Sequence, residues 1–173
     1  MNNDIAETMK PQQDRPDLES RAMPDDHHDL RLWLRLLTCC NLVEGELRSR
    51  LRTEFATTLP RFDLMAQLLR APAGMKMSEL SRHMMVTNGN ITGITDQLEK
   101  EGLVERLKVA TDRRSSLIRL TGKGKRHFKK MAESHEQWVQ DIFGGLSEKS
   151  RRNLFEALGE LKLLAHTRLP ERN

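Results

Sequence analysis

The sequence predicts a mainly α-helical fold carrying one small β-hairpin, an α+β arrangement, and three observations support this. Apolar residues recur at three-and-four spacing through most of the 173 residues, as on one face of a helix. Only the stretch from Leu103 to Leu120 alternates in the manner of strands. Hydrophobic residues make up 37% and charged residues 31%, which suits a thin, surface-rich helical protein that completes its core with a partner subunit.

Taken in order, residues 1–25 are polar, acidic and interrupted by proline, and are expected to form a flexible arm. A long helix follows from Asp26 to Thr53, with Leu30, Trp33, Leu34, Leu37, Cys40, Leu47 and Leu51 on one face. Pro60 suits the start of a second helix, whose inner face is Phe62, Met65, Ala66 and Leu69, and Ala71-Pro-Ala-Gly74 ends it. A third helix is expected from Ser78, with the Ser78 hydroxyl as its cap and Leu80 and Met84 turned inward. Val86-Thr-Asn-Gly makes a tight turn into a fourth helix that buries Ile91, Ile94 and Leu98. Gly102 stops that helix. Leu103–Val109 and Leu117–Leu120 then read as two strands joined by a tip from Ala110 to Ser116. From Thr121 a helix reaches Phe143, with Phe128, Met131, His135, Trp138 and Ile142 at near-heptad spacing. Ser147 caps the last helix, whose stripe is Leu154, Leu158, Leu161 and Leu164 or Ala165.

Helix, tight turn, helix and basic hairpin follow one another between Met77 and Thr121 without a spacer. That order is a winged helix-turn-helix, which sets one helix in a DNA major groove and a loop on the flanking backbone. Residues 56–121 form this lobe. Residues 26–55 and 122–169 are long helices whose narrow apolar stripes want a twin, so they are expected to be a dimerisation region.

Charge distribution agrees. The chain carries a net charge of +4, yet residues 1–30 hold eight acids against three bases. Residues 76–130 hold thirteen bases against six acids, and phosphate attraction is the usual reason for such a patch. The outer face of the fourth helix carries Asn88, Asn90, Thr92, Thr95 and Gln97, short amides and hydroxyls suited to base edges and phosphates, with Gly93 allowing close approach. In the hairpin, Arg114 is expected to probe the minor groove with Asp112 orienting it, while Arg106, Lys108 and Arg113 hold phosphates. A merely solvated face would carry Glu and Lys in place of the amides and hydroxyls.

Other classes lose ground. No nucleophile–base pair, Gly-rich phosphate loop or catalytic signature appears, so neither an enzyme nor a cofactor is expected. No apolar run suits a signal peptide or membrane span, and a cytoplasmic protein with reduced thiols is expected. Cys39 and Cys40 are adjacent, so neither a mutual disulfide nor a zinc spacing is available to them.

Ser78-Glu-Leu-Ser81, the Asp96–Arg106 run Asp-Gln-Leu-Glu-Lys-Glu-Gly-Leu-Val-Glu-Arg, Asp112-Arg-Arg114 and Leu120-Thr-Gly-Lys-Gly124 together resemble the MarR family of bacterial transcription regulators. The resemblance spans Leu30 to the C-terminus. It implies a triangular homodimer of winged-helix subunits on a pseudo-palindromic double-stranded operator, usually a repressor released by a small anionic or aromatic ligand. It also implies a ligand crevice between the dimer helices and the DNA-binding lobe, which Trp33, Leu37, Cys40, Arg61, Phe62, Met65 and His135 would line, Arg61 and His135 being able to meet a carboxylate or phosphate. Asn88-Gly-Asn-Ile-Thr-Gly93 is similar to the recognition helix of regulators of aromatic-acid and hydroxycinnamate breakdown, some of which sense acyl-CoA thioesters. The Arg that the urate-responsive branch carries on this helix is missing here, and the chain has no tyrosine, so an aromatic ligand would stack on Trp33, Trp138 or a Phe.

Three alternatives make different predictions. A thiol-based redox regulator of the same fold needs an exposed cysteine of depressed pKa, whereas the helix-interior place of Cys39 and Cys40 among leucines predicts neither. A metal-responsive regulator needs ligand spacing, and of the six histidines only His27 and His28 are neighbours. A winged-helix adaptor that binds protein and no DNA would show salt-independent behaviour.

Overall fold

Inward-facing apolar side chains organise every helix but the last in the computed structural model, which describes residues 27–109 and 112–168. For Asn88, Lys108, Val109 and residues 112–115 it describes the backbone alone. The order of elements is α1 (His28–Phe55), α2 (Leu59–Arg70), β1 (Met75–Lys76), α3 (Met77–Met84), α4 (Asn88–Lys100), β2 (Val104–Val109), β3 (Asp112–Leu120), α5 (Gly122–Gly144) and α6 (Glu148–Arg168). The arm expected over residues 1–25 lies outside the described residues.

The chain forms two compact units, Met1–Glu46 and Leu47–Asn173. In the first, the described part of α1 leaves Leu30, Leu32, Trp33 and Leu42 exposed. In the second, Leu51, Leu64, Met65, Leu80, Ile91, Ile118 and Met131 are almost wholly withdrawn from solvent. The inner face of α2 is thus Phe62, Leu64, Met65 and Leu68. Leu69, expected inside, is exposed, because the stripe turns one residue earlier than its spacing from Phe62 implies.

The sheet is antiparallel in the order β1–β3–β2. Strand β1 pairs Met75 with Ile118 and Lys76 with Leu117, a third strand the sequence did not announce. Gly74 makes this pairing feasible. Its φ is +99°, and a Cβ there would lie 3.0 Å from the Ile118 carbonyl oxygen.

Two helix starts differ in their chemistry. Helix α3 begins at Met77, and the Lys76 backbone N–H donates to Glu79 Oε2 at 2.9 Å, so Glu79 caps it in place of the expected Ser78. Helix α6 is capped as expected, the Ser150 N–H donating to Ser147 Oγ at 3.1 Å.

Met85 ends α3 in the left-handed region with φ of 53°. An L side chain there costs about 1–2 kcal/mol, and at 94% exposure the Met85 side chain recovers little by packing. Met85→Gly is therefore expected to raise stability by about 0.5–1 kcal/mol, after allowance for the greater freedom of glycine in the unfolded chain. A thermal or urea unfolding midpoint reads this directly, and a midpoint that falls contradicts it.

Candidate nucleic-acid interface

The turn between α3 and α4 is pinned before any ligand arrives. Ser81 Oγ donates to the Val86 carbonyl at 2.6 Å, and the Val86 N–H donates back to the Ser81 carbonyl at 3.2 Å. Thr87 then caps α4, accepting weakly from the Asn90 N–H at 3.4 Å. Ile91, Thr95 and Leu98 are fully buried, which fixes the rotation of the helix. Asn90, Thr92 and Gln97 consequently stand exposed on the outer side. Thr95, expected on that outer side, is turned inward, and its hydroxyl donates to Met77 Sδ at 3.8 Å. It lies on the apolar stripe, four residues after Ile91, and its methyl group suits that place. Asn88 opens the helix; its side chain lies outside the described part.

The far end of α4 is held by the wing. Arg106 on β2 pairs with Asp96 and, through Nε at 3.2 Å, with Glu99. Two carboxylates thus engage the guanidinium expected on a phosphate. The sequence offered no local signal for this clamp, because helix and strand meet only on folding. Across the wing, Arg119 Nε donates to Glu105 Oε1 at 2.7 Å.

The hairpin is longer than expected. Strand β3 begins at Asp112, so the supposed tip residues Asp112 to Ser116 belong to the strand. Ala110 and Thr111 lie outside the described residues. Lys108 pairs with Ser116 and Val109 with Asp112. Between these pairs β3 runs on through Arg113, Arg114 and Ser115 while β2 adds no residue, a local break in the register. The side chains of Lys108, Asp112, Arg113 and Arg114 lie outside the described part, which gives only their backbone places.

Helix, wing and α5 meet at one joint. The Thr121 hydroxyl donates to the Gly102 carbonyl at 2.7 Å and accepts from the Gly124 N–H at 3.0 Å. Lys123 Nζ donates to the Glu101 carbonyl at 2.7 Å. Gly124 presses against Leu103 so closely that a Cβ would lie 1.9 Å from the Leu103 carbonyl oxygen. These contacts account physically for the run Leu120-Thr-Gly-Lys-Gly124. Beyond them Lys125, Arg126, Lys129 and Lys130 are exposed on α5.

The residues expected to line a ligand crevice fall in both units. In the first, Trp33 and Cys40 are exposed and Leu37 is half-buried. In the second, Phe62 and Met65 are core residues. His135 stacks on Phe62 with centroids 4.7 Å apart, and Phe62 in turn lies 5.1 Å from Phe128. Burial lowers the His135 pKa from its ordinary value, favouring the neutral imidazole. Arg61 is engaged by Glu101. Cys39 and Cys40 are both exposed, contrary to a place among buried leucines. Among the described residues no group of three or more His, Cys, Asp or Glu could hold a metal ion. No described helix is long and apolar enough to cross a membrane.

A pinned helix-turn-helix, a polar outer face on its second helix and a basic three-stranded wing define a DNA-binding transcriptional regulator of the winged helix-turn-helix class. The MarR family model matches residues 57–116. A MarR family transcriptional regulator from Silicibacter pomeroyi is 35% identical, with a TM-score of 0.65 over 79% of this chain and 94% of that one. The chain belongs to the MarR family, and it is a regulator and not an enzyme. The HTH-type transcriptional regulator PecS of Dickeya dadantii is 27% identical over 151 residues, 86% of each chain. FabT of Streptococcus pneumoniae, solved in complex with DNA, is 25% identical with a TM-score of 0.68, over 80% of this chain and 98% of that one.

Proposed function

We propose that the protein is a cytoplasmic homodimeric repressor that sits on a pseudo-palindromic operator and leaves it when a small aromatic acid, or its CoA thioester, binds. The observation that carries the DNA half of this reading is the outer face of α4. Asn90, Thr92 and Gln97 stand exposed there, beside a basic wing, in a segment with a strong excess of positive charge. Asn88, Asn90, Thr92 and Gln97 read or position the bases, Arg114 with Asp112 enters the minor groove, and Lys108 and Arg113 hold phosphates. Arg106 contributes through its clamp on α4.

Dimerisation is supported by helices that bury little within the chain. No residue of α6 is buried, and Leu154, Phe155, Leu158, Leu161 and Leu164 are all exposed. Such a stripe is costly to leave in water. Residues 26–55 and 122–169 would therefore form the paired region, and 56–121 the DNA-binding lobe. Two-fold pairing would set the recognition helices in successive major grooves, roughly 34 Å apart.

A duplex enriched from a random-sequence library by the purified protein should contain an inverted repeat, and its affinity should fall steeply with salt. If no duplex is enriched, the DNA reading fails. A thermal-shift screen of aromatic acids and their CoA esters tests the effector class, since a ligand that binds only the folded state raises the midpoint. Exposure of both Cys39 and Cys40 favours a second reading, a thiol-responsive regulator of the same fold. Peroxide or alkylation that leaves duplex binding intact disposes of it.

A further inference from the structure

Four glycines of the DNA-binding lobe and its joint divide into two kinds. Gly74 and Gly124 are demanded by close backbone packing. Gly89 and Gly93, within α4, are not: a Cβ at either would meet nothing within 4 Å. Neither has a positive φ. Glycine is a poor helix former, so their presence weakens the helix without serving the fold of the chain.

Their position is informative. At about 3.6 residues per turn, Gly89 and Gly93 fall one turn apart on the side opposite the buried Ile91, Thr95 and Leu98. They form the outermost ridge of the helix, flanked by the exposed Asn90, Thr92 and Gln97. A second observation points the same way. From Asn88 to Glu99 the helix has no Lys or Arg, and its one cation, Lys100, is its last residue, so no long cationic side chain stands beside Asn90, Thr92 and Gln97 on the helix. Short amides and hydroxyls touch base edges only when the helix axis lies close to them.

We propose that Gly89 and Gly93 form a bare seat that sets how deeply α4 enters the major groove, and so determines which base edges Asn90, Thr92 and Gln97 can read. The proposal rests on the DNA-binding reading above. Methyl groups at the seat would hold the helix off the base pairs and lift the short side chains out of range. Phosphate contacts by the wing would be little changed.

The test compares the native protein, Gly93→Ala and the double variant Gly89→Ala/Gly93→Ala. Each is measured against a duplex that the native protein selects from a random library, and against a scrambled duplex of the same length and composition, at one salt concentration. The variants are expected to melt a few degrees higher, to bind the scrambled duplex as the native protein does, and to bind the selected duplex at least about tenfold more weakly. Undiminished binding of the selected duplex overturns the seat and leaves the DNA-binding reading standing. Equal losses on both duplexes, or lower melting temperatures, also overturn it. Failure of the native protein to select any duplex overturns both.

Discussion

Gly124→Ala is expected to destabilise the protein by about 3 kcal/mol or more, a large share of the stability of an ordinary domain. The added methyl would sit 1.9 Å from the Leu103 carbonyl oxygen and 2.9 Å from its carbon, both backbone atoms. Relief requires α5 to retreat from the first residues of the wing. That retreat lengthens the hydrogen bonds from Thr121 to Gly102 and from Lys123 to Glu101. Gly122→Ala, two residues earlier, is the matched control. Its nearest neighbour would be the flexible end of Arg126 at 3.6 Å, so little change is expected. Urea unfolding of both variants checks the pair, and similar midpoints would show that the joint tolerates what its geometry forbids.

The second large effect concerns DNA. Arg114→Ala is expected to leave folding unchanged and weaken operator binding by about 1–3 kcal/mol for each wing. With two wings on one operator, as the proposed dimer would place them, the loss is about thirtyfold or more. The Arg114 backbone lies where β3 runs past β2, between the Lys108–Ser116 and Val109–Asp112 pairs. A minor-groove probe predicts that discrimination against G·C steps flanking the half-site relaxes in this variant. Arg113→Ala, as a phosphate contact, should weaken all duplexes alike and reduce the salt dependence. Should Arg114→Ala bind as tightly as the native protein at the same salt, the wing assignment is wrong.

What the sequence disclosed follows from which forces are local. The apolar stripe of α4 was legible because Ile91 and Leu98 repeat at helical spacing. Thr95 hides in that pattern because its hydroxyl marks it as polar while its methyl group belongs to the same stripe. The first half of β3 has no alternation from Asp112 to Ser116 and so no signal in the sequence; only Asp112 and Ser116 of it pair with β2. Strand β1 has two residues, too short for any period to show. The clamp of Arg106 on Asp96 and Glu99 joins a strand to a helix and has no signature in local spacing. The stripe of α6 was plain, but no residue of it is buried within the chain, so its partner could not be read from the helix itself.

The joint at Thr121 has a mechanical consequence. Carbonyls at the end of α4 and the entry to the wing are tied to the first turn of α5 by Thr121 and Lys123, and Gly124 leaves no slack between them. Recognition helix and α5 therefore behave as the two arms of one crank. On the proposed function, a tilt applied along the 23 residues of α5 would reach α4 through these contacts. For the ligand-released repressor proposed above, induction would then need no melting or reshaping of the DNA-reading surface. On that proposal, a tilt of the long helices would be enough to swing an intact reader out of its groove.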